Sequence, residues 1–86
     1  MLHRMILVRA QRDELAGVWV ATSEDVPGLI TEAASMEELQ AKILVMIPEL
    51  LAANEIDCDM DEIPVHIVSE LLTRVANPRV FQPSLP

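Results

Sequence analysis

Residues 18–40 read Val-Trp-Val-Ala-Thr-Ser-Glu-Asp-Val-Pro-Gly-Leu-Ile-Thr-Glu-Ala-Ala-Ser-Met-Glu-Glu-Leu-Gln, which spells a strand, a tight turn, a second strand and the start of a helix. Val18, Val20 and Thr22 alternate with Trp19 and Ala21 in the period of two that a half-buried strand requires. Pro27 fixes φ and Gly28 permits a positive φ, the combination a tight turn needs. Residues 29–33 form the next short strand. Ser35-Met36-Glu37-Glu38 is a capping box, in which the serine hydroxyl accepts from the Glu38 amide and the Glu38 carboxylate reaches back to the Ser35 amide. The stretch holds no nucleophile beside a base, no metal-ligand cluster and no glycine loop for phosphate, so it points to function by binding.

Upstream, residues 3–10 read as a strand with Met5 and Leu7 on one face and Ile6 and Val8 on the other, both faces apolar. Residues 11–17 are polar and end in Gly17, the pattern of a hairpin with a loop longer than two residues. Downstream, Met36, Leu39, Ile43, Met46, Ile47 and Leu50 recur at three- and four-residue steps and form one apolar helix stripe. Pro48 removes a hydrogen bond inside this helix, so a kink is expected there, with the helix ending near Asn54 and residues 55–62 following as a solvated acidic loop. Residues 63–74 are ambiguous, because Val65, Val68, Leu72 and Val75 also fit a helix starting at Pro64. The β-branched Val65, Ile67 and Val68, and a right-handed crossover from strand three, favour a fourth strand parallel to the first. The expected fold is α+β, β-β-β-α-β: an antiparallel meander, a fourth strand parallel to strand one and one kinked helix on one face. Residues 1–75 make the domain; residues 76–86, with three prolines, make a tail that is either disordered or docked through Val80 and Phe81.

The chain has 86 residues, 51% of them hydrophobic, and a mean hydropathy of +0.30. A domain of this size buries only about 60–65% of its unfolded surface, so some apolar area should lie at an interface. No apolar run reaches the ~18 residues of a membrane span, and the apolar start closes at Arg9 too early for a signal peptide. The expected compartment is the cytoplasm, and a lone cysteine, Cys58, excludes an intramolecular disulfide. The net charge of −8 is concentrated: from Glu24 to Glu62, eleven acids stand against Lys42, while the remainder of the chain is +2. Such a field repels phosphate backbones and speeds encounter with a basic protein.

Single residues add little chemistry. Asp57, Asp59 and Asp61 alternate as an EF-hand loop begins, but the sixth and twelfth positions, Glu62 and Val68, lack the required glycine and glutamate. Cys58 has no histidine near it in sequence and sits among acids, which disfavour a thiolate. His3 and His66 read as solvated or packed residues. Trp19 is either core under the helix or an interface anchor. One helix covers only one side of a four-stranded sheet, so the other side, taken as Ile6, Val8, Val65 and Ile67, is expected to form an oligomer interface. Trp19, Glu24, Asp25, Asp57, Asp59 and Asp61 are the candidate partner-binding residues. No catalytic residue, metal or cofactor is expected.

With these elements placed, about residues 5–55 resemble the N-terminal domain of HicB-type antitoxins, and more closely a group of small HicB-like bacterial proteins of no assigned activity. The residues that carry the likeness are Ala16-Gly17-Val18-Trp19-Val20-Ala21, Asp25-Val26-Pro27-Gly28-Leu29, Thr31 and Ser35-Met36-Glu37-Glu38. The resemblance implies a β-β-β-α-β fold similar to part of ribonuclease H, and a non-enzymatic module that binds a small basic ribonuclease toxin and covers its active site. The likeness also invites a two-metal reading of Asp13, Glu24 and Asp25, but nothing in the sequence brings these together on a strand centre. Antitoxins of this type continue into a DNA-binding domain that these 86 residues do not include, so operon autoregulation is not expected. The alternative to a toxin partner is a homo-oligomeric structural or regulatory scaffold.

Overall fold

A computed structural model describes residues 5–58 and 61–79. Its elements follow in the order β1 (Ile6–Asp13), β2 (Val18–Thr22), β3 (Ile30–Ala33), α1 (Met36–Ala53) and β4 (Val65–Glu70). The sheet order is β3-β2-β1-β4, with β1–β2 and β2–β3 antiparallel and β1–β4 parallel. This is the expected α+β arrangement, and the helix supplies the crossover that a parallel pair demands. Val80 and Phe81, the residues named for docking in one of the two readings of the tail, lie outside the described residues, as do His3 and Asp59.

Strand β1 is three residues longer than its apolar run. Gln11, Arg12 and Asp13 pair with Val20, Trp19 and Val18, and the Arg12 guanidinium lies 5.6 Å from the centre of the Trp19 ring. This cross-strand pair carries the hairpin past the point where hydropathy fades. The loop then closes over residues 14–17: the Gly17 amide donates to the Asp13 carbonyl at 2.8 Å, the Ala16 amide donates to Asp13 Oδ1 at 3.1 Å, and Gly17 takes φ +70.

The turn into β3 is of type II. Pro27 and Gly28 occupy its centre, Gly28 has φ +86, and the Leu29 amide donates to the Val26 carbonyl at 3.1 Å. Ser35 caps α1 by accepting from the Glu38 amide at 3.2 Å. The helix runs as one element through Pro48. Pro48 and Leu44, whose carbonyl loses its donor there, are both exposed, so water can satisfy the freed group. Leu39, Ile43, Ile47 and Leu51 form its buried stripe, with Met36, Met46 and Leu50 partly buried beside it. Leu51 completes a row that the sequence stripe ended at Leu50.

The core lies between α1 and one face of the sheet: Ile6, Val8 and Ala10 on β1, Ala21 on β2, Ala33 on β3, and Val26 and Leu29 from the turn. The expected oligomer interface is therefore corrected. Ile6 and Val8 are fully buried beneath the helix, and Val65 and Ile67, which pair with them, are half-buried on the same face. The open face carries Met5, Leu7, Val20, Ile30 and Val68, mixed with Arg9, Gln11, Thr22, Glu32 and Glu70. The cause is parity. Ile6 continues to Val8 and Ala10, whereas Leu7 continues to Arg9 and Gln11, and only the first series can lie under a helix without burying a charge.

Candidate functional site

After Thr22 pairs with Arg9, β2 leaves β1, and side chains take over the ladder. The Leu7 amide donates to Asp25 Oδ2 at 2.8 Å, Ser23 Oγ donates to the Leu7 carbonyl at 2.6 Å, and the Asp25 amide donates to Ser23 Oγ at 3.1 Å. Ser23 and Asp25 thus satisfy both backbone groups of Leu7 where a strand would have done so. One oxygen of the Asp25 carboxylate is committed to the fold, while Glu24 remains exposed at the rim of a pocket of about 230 Å³ shared with Leu7, Arg9 and Thr22.

The helix C-terminus docks on this same turn. Asn54 Nδ2 donates to the Pro27 carbonyl at 3.2 Å and to the Leu50 carbonyl at 2.8 Å. Glu55 then takes a left-handed φ of 54, its amide donates to the Ala52 carbonyl at 3.2 Å, and the Ile56 amide donates to the Leu51 carbonyl at 2.9 Å. This is a Schellman closure with glutamate in the position that ordinarily favours glycine. The chain next passes Asp57, Asp61 and Glu62, all exposed, and enters β4 at the end of the sheet where β1 begins.

The β2–β3 turn and the α1–β4 loop therefore share one end of the molecule. They gather Glu24, Asp25, Glu55, Asp57, Asp61 and Glu62 there, beside the negative end of the helix dipole, and the last helical turn carries no basic residue. Of the six candidate partner-binding residues, Glu24, Asp25, Asp57 and Asp61 meet at this acidic pole, and Asp59 lies outside the described residues. Trp19 does not join them. It pairs with Arg12, five residues along β1 from Leu7, which at ~3.4 Å per residue places it about 17 Å from Leu7 along the strand. Its ring is half-buried on the helix-covered face and packs against the core.

Among the described residues, no group of three or more His, Cys, Asp or Glu is arranged to hold a metal ion. Asp13 stands at the opposite end of β1 from Asp25, bonded into the hairpin loop. Cys58 is a free, half-buried thiol, and His66 is exposed on the open face of β4. No helix among the described residues is long and apolar enough to cross a membrane.

No curated protein matches the chain. Among solved structures it is similar to the hypothetical protein TTHA1013 from the extremely thermophilic bacterium Thermus thermophilus. The two are 49% identical, the match covers 86% of this chain and all of that one, and the TM-score is 0.66. The family model described as Domain of unknown function (DUF1902) matches residues 5–82, a span that includes all five elements, the Asp25–Gly28 turn and the acidic loop, and the chain belongs to that family.

Proposed function

We propose that this chain is a non-catalytic protein-binding module of the cytoplasm, HicB-like in type, that binds and masks a small basic ribonuclease toxin. The observation that carries the reading is the acidic pole: two loops distant in sequence converge at one end and present carboxylates of a single sign, with the helix C-terminus adding to the same field. A concentrated field of one sign accelerates encounter with a partner of the opposite sign and fixes its orientation. The partner suited to it displays lysine and arginine around its own active site, where masking would block access to RNA.

The reading expects a short reading frame for a small basic protein beside this one, and co-expression of that protein with this chain provides the test. Growth arrested by that protein should recover when this chain is present, and the two should co-purify in a complex that weakens as salt rises. Replacing Glu24, Asp57 and Asp61 by lysine should abolish rescue. Glu55→Gly separates binding from folding, because glycine relieves the left-handed backbone at that position by about 1 kcal/mol while removing one charge from the pole. Failure of rescue, or rescue indifferent to the charge reversals, overturns the proposal. A homo-oligomeric scaffold with no toxin is the second reading, favoured by the exposed Met5, Leu7, Ile30 and Val68 on the open face.

A further inference from the structure

Among the described residues the sheet has two edges, β3 and β4, and they are guarded differently. β3 is four residues long, and Lys42 Nζ reaches from α1 to donate to its Glu32 carbonyl at 2.7 Å. A short strand engaged by a lysine is poorly suited to further pairing. β4 is six residues long and contains no proline or lysine. The Ile6 amide donates to the Pro64 carbonyl at 2.8 Å, and the parallel register runs from Ile6 opposite Val65 to Gln11 opposite Glu70. In a parallel ladder of this register the backbone groups of His66 and Val68 face β1, so those of Val65, Ile67 and Ser69 point away from the sheet.

We propose that β4 is a self-association edge, at which two copies of this chain pair antiparallel about a two-fold axis at Val68 and join their sheets into one of eight strands. Three observations support this pairing, and the first and third select its register. The first is charge. With Val68 opposite Val68, each His66 lies opposite Glu70 of the second copy on the open face, in the closer, non-hydrogen-bonded pairs. The axis shifted to Ile67 places His66 opposite Val68 instead, and shifted to Ser69 it places Glu70 opposite Val68. The second is the outward backbone. Ile67 meets Ser69, and Val65 meets Leu71, as hydrogen-bonded pairs in the same register. The third is the fate of Leu71. It follows β4 directly, is 60% exposed, and if the strand pattern continues it falls on the helix-side face. α1 packs closest to β3 and β2, and beside Val65 there is a groove of about 300 Å³ lined by Leu44, Ile47, Pro48, Leu51, Ile63 and Asp61. Leu71 of the second copy lands on Val65 at this groove.

β4 itself holds one acid, Glu70, already 3.5 Å from Arg9, and one histidine. Its Val65 end borders the acidic pole, because Asp61 lines the same groove as Val65. The pairing does not rest on the toxin reading: Ser69→Pro alters the edge and leaves every acid of the pole in place.

Sedimentation of the full chain at micromolar concentration should give a dimer. Ser69→Pro should give a monomer with unchanged circular dichroism, because the amide it removes faces away from β1. His66→Glu should raise the dissociation constant about tenfold, and His66→Arg should not. In a Cys58→Ser background, Val68→Cys should oxidise to a covalent dimer, since non-hydrogen-bonded partners sit about 4.5 Å apart between Cα atoms, within disulfide reach. Glu70→Cys in the same background should not, because residue 70 faces His66. A monomeric native chain overturns the proposal, as does a dimer that survives Ser69→Pro. Crosslinking at residue 70 in place of residue 68 overturns it even if Ser69→Pro proves unable to fold.

Discussion

On β1, Ile6 and Val8 are fully buried beneath the helix, while their neighbours Met5 and Leu7 stand on the open face at 48% and 36% exposure. The two pairs differ little in hydropathy, so apolar character alone does not decide which is sheltered. The neighbours on each face do. On the helix side the adjoining positions are Ala10, Ala21 and Ala33, small residues that let Leu39 and Ile43 approach the sheet closely. On the open side they are Arg9, Gln11, Thr22 and Glu32, whose polar ends require water.

Substitution on the two faces should separate them by the widest margin. Ile43→Ala removes a fully buried side chain at the centre of the helix stripe and should cost about 2–5 kcal/mol. For a domain of this length total stability is of order 4–13 kcal/mol, so this variant should melt early or not fold at all. Leu7→Ala on the open face should cost under about 1 kcal/mol, in line with its partial exposure. Thermal melts of the two variants measure the contrast, and equal costs would mean that the open face is covered in solution.

The order of the first four elements was legible because each carried its own local signal, whereas β4, equally compatible with a helix from Pro64, was decided by its β-branched residues together with the crossover topology. Alternation marked β2, Pro27-Gly28 marked the turn, Ser35 and Glu38 marked the helix start, and Asn54 its end. The assignment of faces was not legible from residues 5–8 taken alone, since both parities there are apolar. The signal begins at Arg9 and is completed by Gln11 once β1 is carried on to Asp13: both share the parity of Met5 and Leu7 and identify the wet face. The acidic pole was half legible. Its residues stood in the sequence, but the meeting of the β2–β3 turn with the α1–β4 loop depends on Asn54 reaching Pro27 across 27 residues, a tertiary contact with no local trace.

The end of β1 is held in part by Asp25, which the sequence offers as a partner-binding residue and which in the structure takes the place of a strand beside Leu7. Asp25→Ala leaves the Leu7 amide without its protein partner. The site is exposed and water can substitute, so the cost should be about 1 kcal/mol, a fall in Tm of roughly 4–8 °C for a domain of this size. The local readout is sharper than the global one: hydrogen exchange at the Leu7 amide should accelerate far more than at Val8.

The smallest effect should come from the far end of the helix-covered face, where Trp19 is half-buried and Arg12 lies over its ring. Arg12→Gln keeps a long polar side chain and the strand register but removes the cation and its planar group. A cation–π contact at a partly exposed site is worth about 0.5–1 kcal/mol, so the melting point should shift by only a few degrees. Trp19 is the sole tryptophan, and fluorescence therefore reports this position without interference. Emission should move to longer wavelength as water reaches the ring. An unchanged spectrum would mean that Trp19 is sheltered by something other than Arg12, and would extend the dry face beyond the end of α1.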